Sequence, residues 1–225
     1  MRILSIGKTL QHKTLDITSI EVSALETHPK VENYDYVIIS GGDGSIRRVV
    51  KTLQGIPHAF KFILNPIGSF NVVAKLHKVP KIETVLKKLA NNETLQIQKQ
   101  SYYSLNNEVF LFSAGNMGDL QHIFLAESLR FGLIQNNMGK YILALFFLLP
   151  FHLIMTPFML MSKNRFFIFT PASFIKKFGS FYGEVKEMTI ELENTYNHIE
   201  LDGDIVTIED DLLHIKPAGY IQIIS

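Results

Sequence analysis

A short apolar run that ends on glycines and passes at once into a helical pattern constrains this chain more than any other feature. Tyr36-Val37-Ile38-Ile39 has the unbroken hydrophobicity of a strand covered on both faces. Gly41-Gly42-Asp43-Gly44-Ser45 follows, and Ile46, Val49, Val50 and Leu53 then recur at helical spacing until Gly55 and Pro57 close the segment. Glycines let the backbone turn through conformations closed to other residues and let a ligand approach it closely. The helix start presents unpaired amides and the positive end of a dipole, which suits phosphate. The same turn also serves as a plain strand-to-helix connection with Asp43 as a local cap. It is not the P-loop, which needs Gly-Lys-Ser/Thr, nor the dinucleotide fingerprint Gly-x-Gly-x-x-Gly.

The surrounding pattern repeats the same unit. Ile3 to Ile6 and Ile17 to Val22 read as strands, and Phe60 to Leu64 as another, leading into Asn65-Pro66-Ile67-Gly68. Helices are expected from about Phe70 to His77, stopped by Pro80, and from Ile82 to Ala90. Such alternation predicts a parallel sheet with helices on its faces, a Rossmann-like three-layer α/β domain. After Asn91-Asn92 the texture changes. Leu95 to Ser104 and Val109 to Ser113 form a hairpin pattern across Asn106-Asn107. Helices are expected over Leu120 to Leu129 and from about Lys140, and strand signals dominate from Phe166 onwards. The expected organisation is an α/β nucleotide-binding domain over 1–93 and a mainly β, sandwich-like substrate domain over 94–225, with the nucleotide in the cleft between them.

Composition closes off several classes. With 225 residues, 47% hydrophobic and 19% charged, the chain can bury a substantial core. A net charge of +1 and the lack of any basic run argue against nucleic acid as a partner. The absence of cysteine excludes disulfides, thiolate metal sites and thiol nucleophiles, and fits a cytoplasmic setting. One stretch departs from this. Tyr141 to Met161 carries no charge, and its length meets the roughly 20 residues of a membrane span. Pro150 and Pro157 interrupt it, so it reads equally as a buried helix or as an apolar surface touching the inner face of the membrane without crossing it.

Two further motifs bear on chemistry. Pro66-Ile67-Gly68-Ser69-Phe70-Asn71 again joins a strand to a helix, so two strand ends would bring glycine backbone and hydroxyls to one crevice. Taken alone, Ser69 reads as an N-cap and Asn71 as a first-turn surface residue. Far downstream, Glu200-Leu201-Asp202-Gly203-Asp204 has the form of an Asp-Gly hairpin.

Together these motifs resemble the diacylglycerol and lipid kinase family. Gly41 to Ser45 is similar to its Gly-Gly-Asp-Gly-Thr, Pro66 to Lys75 to its Pro-x-Gly-Thr-x-Asn-Asp-x-Ala-Arg, and Asp202-Gly203-Asp204 to its Asp-Gly-Glu. Leu213 to Tyr220 resembles its final strand and proline. A weaker likeness covers Phe112 to Asp119 and Gly139-Lys140-Tyr141. NAD kinases share the first signature, and the second favours the lipid kinase branch. The resemblance implies an ATP- and Mg²⁺-dependent kinase acting on a hydroxyl of diacylglycerol or a related lipid. It implies a nucleotide bound by Gly41, Gly42, Asp43, Gly44, Ser45, Gly68, Ser69 and Asn71, with Asp43 also holding Mg²⁺. Asp43 and Asp204 are the implied catalytic residues, Asp204 taking the proton of the lipid hydroxyl. The apolar stretch would then line the lipid site or touch the bilayer.

The chain departs from that pattern in several places. Gly7-Lys8-Thr9 is a remnant of the family's first glycine-rich loop, Arg47-Arg48 stands where it often has Asn-Glu, and Asn71-Val72 lacks the acid of Asn-Asp. The two arginines read either as a phosphate clamp or as a solvated helix face. Asp204 is one methylene shorter than glutamate, and a displacement of ~1 Å can cost ~10²-fold in rate. These changes leave open a non-catalytic lipid- or nucleotide-binding member of the same fold, as well as a kinase for a soluble substrate such as NAD.

Overall fold

A computed structural model describes residues 1–68, 71–116, 154, 157 and 165–225. It divides the chain into two compact units, one of Met1–Leu111 with Pro217–Ser225 and one of Phe112–Lys216. Compared with a boundary at residue 93, the first hairpin and the C-terminal residues go with the α/β unit.

The first unit is built on parallel strands: β1 (Arg2–Ile6), β2 (Asp16–Ile20), β3 (Tyr36–Gly41) and β4 (Lys61–Pro66). Their order is β2-β1-β3-β4, and each adjacent pair is parallel. The end of β14 (Leu212–Ile224) lies parallel beside β4, with Gln222 opposite Lys61. Then come β5 (Ile97–Leu105) and β6 (Glu108–Phe110), an antiparallel hairpin turned by Asn106 at φ 49°. Asparagine tolerates that left-handed conformation, which is why the Asn106-Asn107 pair was legible as a turn. Helix α1 (Asp43–Leu53) buries Ile46, Val49, Val50 and Leu53, the face its spacing predicts. Helix α2 (Val72–Leu76) is short, and α3 (Ile82–Ala90) sets Ile82, Val85, Leu86 and Leu89 against Ile3, Ile38, Ile63 and Ile224 of the sheet.

Two local readings change. Val22 leaves the second strand, which stops at Ile20, and begins a 3-10 turn. Arg47 is neither a phosphate clamp nor a solvated side chain: it is buried and pairs with Glu108 at 3.0 Å. Lys51 shares that carboxylate at 2.6 Å. The partner stands on β6, far along the chain, so the local pattern at Arg47 held no sign of it.

The second unit is mainly β. Its sheet runs β13-β12-β7-β8-β10-β9, from β7 (Ser113–Gly115), β8 (Phe167–Phe169), β9 (Lys177–Phe178), β10 (Phe181–Tyr182), β12 (Asn197–Leu201) and β13 (Asp204–Ile208). A further strand, β11 (Met188–Glu191), pairs antiparallel with the first residues of β14. Ala114, Phe166, Ile168, Ile199 and Leu201 are fully buried in this unit. The α/β domain followed by a mainly β domain is therefore as expected. Strand β14 runs through Pro217-Ala218-Gly219, where its residues are solvent-exposed. There a missing amide hydrogen at proline is tolerated. The helices expected at Leu120–Leu129 and from Lys140 lie outside the described residues, as does the Tyr141–Met161 stretch apart from Ile154 and Pro157. Among the described residues, no helix is long and apolar enough to cross a membrane.

Ile38 is fully buried where α3 meets β1, β3, β4 and β14. Ile38→Ala should lower unfolding free energy by about 2–4 kcal/mol in urea denaturation, and a loss under ~1 kcal/mol would contradict this packing.

Candidate functional site

Topology decides where a ligand can lie. The chain leaves β1 to form β2 on one side of it and returns as β3 on the other. The two connections diverge at the C-terminal ends of β1 and β3, where open α/β sheets bind ligands. Gly7 follows β1 there with φ 88°, and its amide donates to the Ile20 carbonyl at 3.0 Å. A Cβ on Gly7 would stand 2.6 Å from the Ser40 carbonyl oxygen, so only glycine closes this turn. The remnant loop thus keeps its tight entry.

The Gly41–Ser45 turn and the Gly68 turn are in direct backbone contact. The Ile67 amide donates to the Gly41 carbonyl at 3.2 Å. A Cβ on Gly68 would lie 2.7 Å from Gly42 Cα, and one on Gly41 would collide with the Ser45 side chain. Gly42 caps α1 in extended conformation, its carbonyl accepting from the amides of Ser45 at 3.0 Å and Ile46 at 3.2 Å. The amides that head α1, at Gly42, Asp43 and Gly44, have no earlier turn to bond to, which is the arrangement an anion exploits.

Asp43 ties the two turns together. Its Oδ2 accepts from the Val72 amide at 2.7 Å and its Oδ1 from the Val73 amide at 3.0 Å. It therefore supplies the cap of α2, whose own N-cap residue, Asn71, makes no side-chain capping bond. Burial pushes the Asp43 carboxyl above its ordinary pKa, opposed by the Val73 and Val72 amides and the Lys75 ammonium. This changes the expectation for Asp43, since both oxygens are committed to α2 before any metal is considered. Among the described residues no cluster of three His, Asp or Glu side chains could hold a metal. Mg²⁺ is usually held by one or two carboxylates together with substrate phosphates. It would therefore have to come with the nucleotide and could reach only the lone pairs Asp43 has left.

Asn71 adopts φ 50° and donates from Nδ2 to the Gly68 carbonyl at 2.5 Å. Its Oδ1 is buried, with no hydrogen-bond partner among the described residues. An orphaned acceptor beside both glycine turns suits a ligand donor such as a hydroxyl. Gly41, Gly42, Asp43, Gly44, Ser45, Gly68 and Asn71 are thus brought together, while Ser69 lies outside the described residues.

The Asp-Gly-Asp motif belongs to the second unit. Asp202 at φ 51° and Gly203 at φ 90° make the two-residue hairpin turn between β12 and β13. Asp202 is buried, and its Oδ1 accepts from the amides of Phe112 at 2.9 Å and Ser113 at 3.0 Å. Glu200 Oε1 accepts from the Gly203 amide at 2.5 Å and the Ser113 hydroxyl at 3.1 Å. Asp202 and Glu200 therefore brace the turn against β7, a role the motif alone did not reveal. Asp204, half-buried, opens β13 directly after the turn.

Comparison with known proteins agrees with this geometry. Residues 6–101, which include both glycine turns, match the model of the diacylglycerol kinase catalytic domain family. A candidate diacylglycerol kinase from Bacillus anthracis str. Sterne has the same fold, with a TM-score of 0.57 at 13% identity over 99% of this chain and 97% of that one. Another structure, of a diacylglycerol kinase from the same organism, gives 0.56 at 14% identity over 99% and 96%. Comparison with curated proteins finds no match. The chain is therefore similar to diacylglycerol kinases in sequence over residues 6–101 and in fold over 99% of its length.

Asp43→Ala should leave two amides unsatisfied and cost on the order of 2–4 kcal/mol, and Asp43→Asn, which keeps one acceptor, should cost less. The raised carboxyl pKa also sets a sign. The folded chain keeps the Asp43 proton where the unfolded chain has released it. Wild-type stability measured against Asp43→Asn should therefore fall as pH rises from the ordinary carboxyl value through the raised one, and stay flat above it. Chemical denaturation across that range checks this, and a rising difference would contradict it.

Proposed function

We propose that the protein is an ATP-dependent lipid kinase that transfers the γ-phosphoryl of ATP to a hydroxyl of diacylglycerol or a related lipid. The observation that carries this reading is the backbone contact between the Gly41–Ser45 and Gly68 turns, locked by Asp43 at the switch point of the sheet. The family match over both turns supports it.

On this reading the amides heading α1 and the Gly68 turn hold the phosphates, and Asn71 Oδ1 accepts from a nucleotide hydroxyl. Asp43 acts first as a positioning residue that keeps the turns in register. Asp204 takes the proton of the lipid hydroxyl as its oxygen attacks the γ-phosphorus and ADP departs, a step in which positioning and charge stabilisation dominate. Mg²⁺ bound with the nucleotide would neutralise the charge on the transferring oxygens. The apolar 141–161 stretch is assigned to the lipid side and to contact with the inner face of the membrane. A second reading, binding without turnover, is favoured by one observation: Val72 stands where the family has an acid, and its amide is taken by Asp43.

Labelled ATP with diacylglycerol in mixed micelles tests the proposal. Wild-type protein should form phosphatidate, and Asp204→Asn should lower kcat by ~10²-fold or more while ATP affinity is kept. Undiminished turnover in that variant removes Asp204 from the mechanism. Nucleotide binding with no product from any lipid moves the assignment to the second reading.

A further inference from the structure

The two most exposed large hydrophobic side chains described are Phe174, 83% exposed, and Phe178, 65% exposed, and they stand four residues apart in the second unit. Ile175 between them is 38% exposed, and every residue from 173 to 179 faces solvent. The turn is nevertheless firmly built. The Ile175 amide donates to the Ala172 carbonyl at 2.9 Å, and the Gly183 amide to the Lys176 carbonyl at 3.1 Å. Lys177 and Phe178 pair with Phe181 and Tyr182 through Gly179, which takes φ 57°. Any side chain at Gly183 would collide with the carbonyls of Ala172 and Ile175. A frame this tight holds the phenylalanines out in water, where nothing among the described residues rewards their exposure.

Charge identifies what covers them. Lys176 and Lys177 lie within the turn, and no acidic residue occurs from Thr170 to Tyr182. The nearest carboxylate in sequence, Glu184, lies 3.9 Å from Lys186. We propose that residues 173–179 form a docking surface for an anionic phospholipid bilayer, with Phe174, Ile175 and Phe178 entering the interface and Lys176 and Lys177 meeting the headgroups. Aromatic and aliphatic tips flanked by lysines are the chemistry of interfacial anchoring, where each lysine adds attraction to anionic lipid. A second copy of the chain would set the same lysines against each other, which disfavours self-association through this face. The surface includes no residue of the 141–161 stretch, and its assignment does not depend on phosphoryl transfer.

The chain has no tryptophan, so Phe174→Trp places a single reporter on the surface. Its emission should shift to the blue with vesicles containing phosphatidylglycerol and not with phosphatidylcholine alone, while Tyr196→Trp, elsewhere in the unit, should not shift. In flotation without nucleotide, wild-type protein should rise with the anionic vesicles. Phe174→Ser/Phe178→Ser and Lys176→Gln/Lys177→Gln should each lower partitioning on the order of tenfold. All these side chains are exposed, so thermal unfolding should be unchanged. Flotation equal to wild type in both double variants overturns the proposal, as does a wild-type protein that binds neither vesicle. A dimer in solution that Phe174→Ser splits, without vesicle binding, assigns the patch to self-association and overturns it too. Phosphoryl transfer in micelles is read separately, so failure of one leaves the other standing.

Discussion

Two hydrogen bonds accepted by one buried carboxylate hold the candidate site in shape. Asp43 sits in the first turn of α1 and accepts from the first amides of α2, so a side chain on one helix completes the end of another. Removing a carboxylate from water is costly, and here two aimed amides and the positive end of α2 offset much of the penalty. Helix α2 is too short to set its own direction, and its N-cap residue offers it no side-chain bond. Its place, and that of the Gly68 turn before it, therefore depends on Asp43. Only glycine at 68 lets that turn rest against Gly42.

The sheet supplies the other half of the constraint. Because β1 lies between β2 and β3, the loops after β1 and β3 part at their carboxyl ends. Gly7 and the Gly41–Ser45 turn stand on either side of that parting, and the β4 turn joins them. A buried isoleucine layer, from Ile3, Ile38 and Ile63, packs these three strands against α3. The second unit uses the same device in another form. Asp202 and Glu200 fasten the hairpin to β7 by amide and hydroxyl bonds, which fixes where Asp204 begins its strand.

The features legible in sequence were those set by neighbours along the chain. The Tyr36–Ile39 run, the spacing of α1 and the Asn106-Asn107 and Asp202-Gly203 turns depend on local periodicity and on residues suited to positive φ, and they stand as read. What escaped depends on distance. Arg47 looked like a surface or phosphate-binding side chain because its partner, Glu108, lies on β6. An acid in a glycine turn carries no mark of the distant amides it serves, so the bonds from Val72 and Val73 to Asp43 were not legible. Asp202 resembled part of a catalytic motif, yet its oxygen serves Phe112 and Ser113.

On the proposed function the two glycine turns, joined by Asp43, act as one phosphate cradle. Amide resonances followed by NMR during titration with a non-hydrolysable ATP analogue and Mg²⁺ test it most directly. The largest shifts should fall together on Gly41 to Ile46 and on Gly68 to Val73, and Asp43→Ala should abolish the coupled response. Binding that perturbs one turn and leaves the other untouched, or shifts confined to residues away from both, would contradict it.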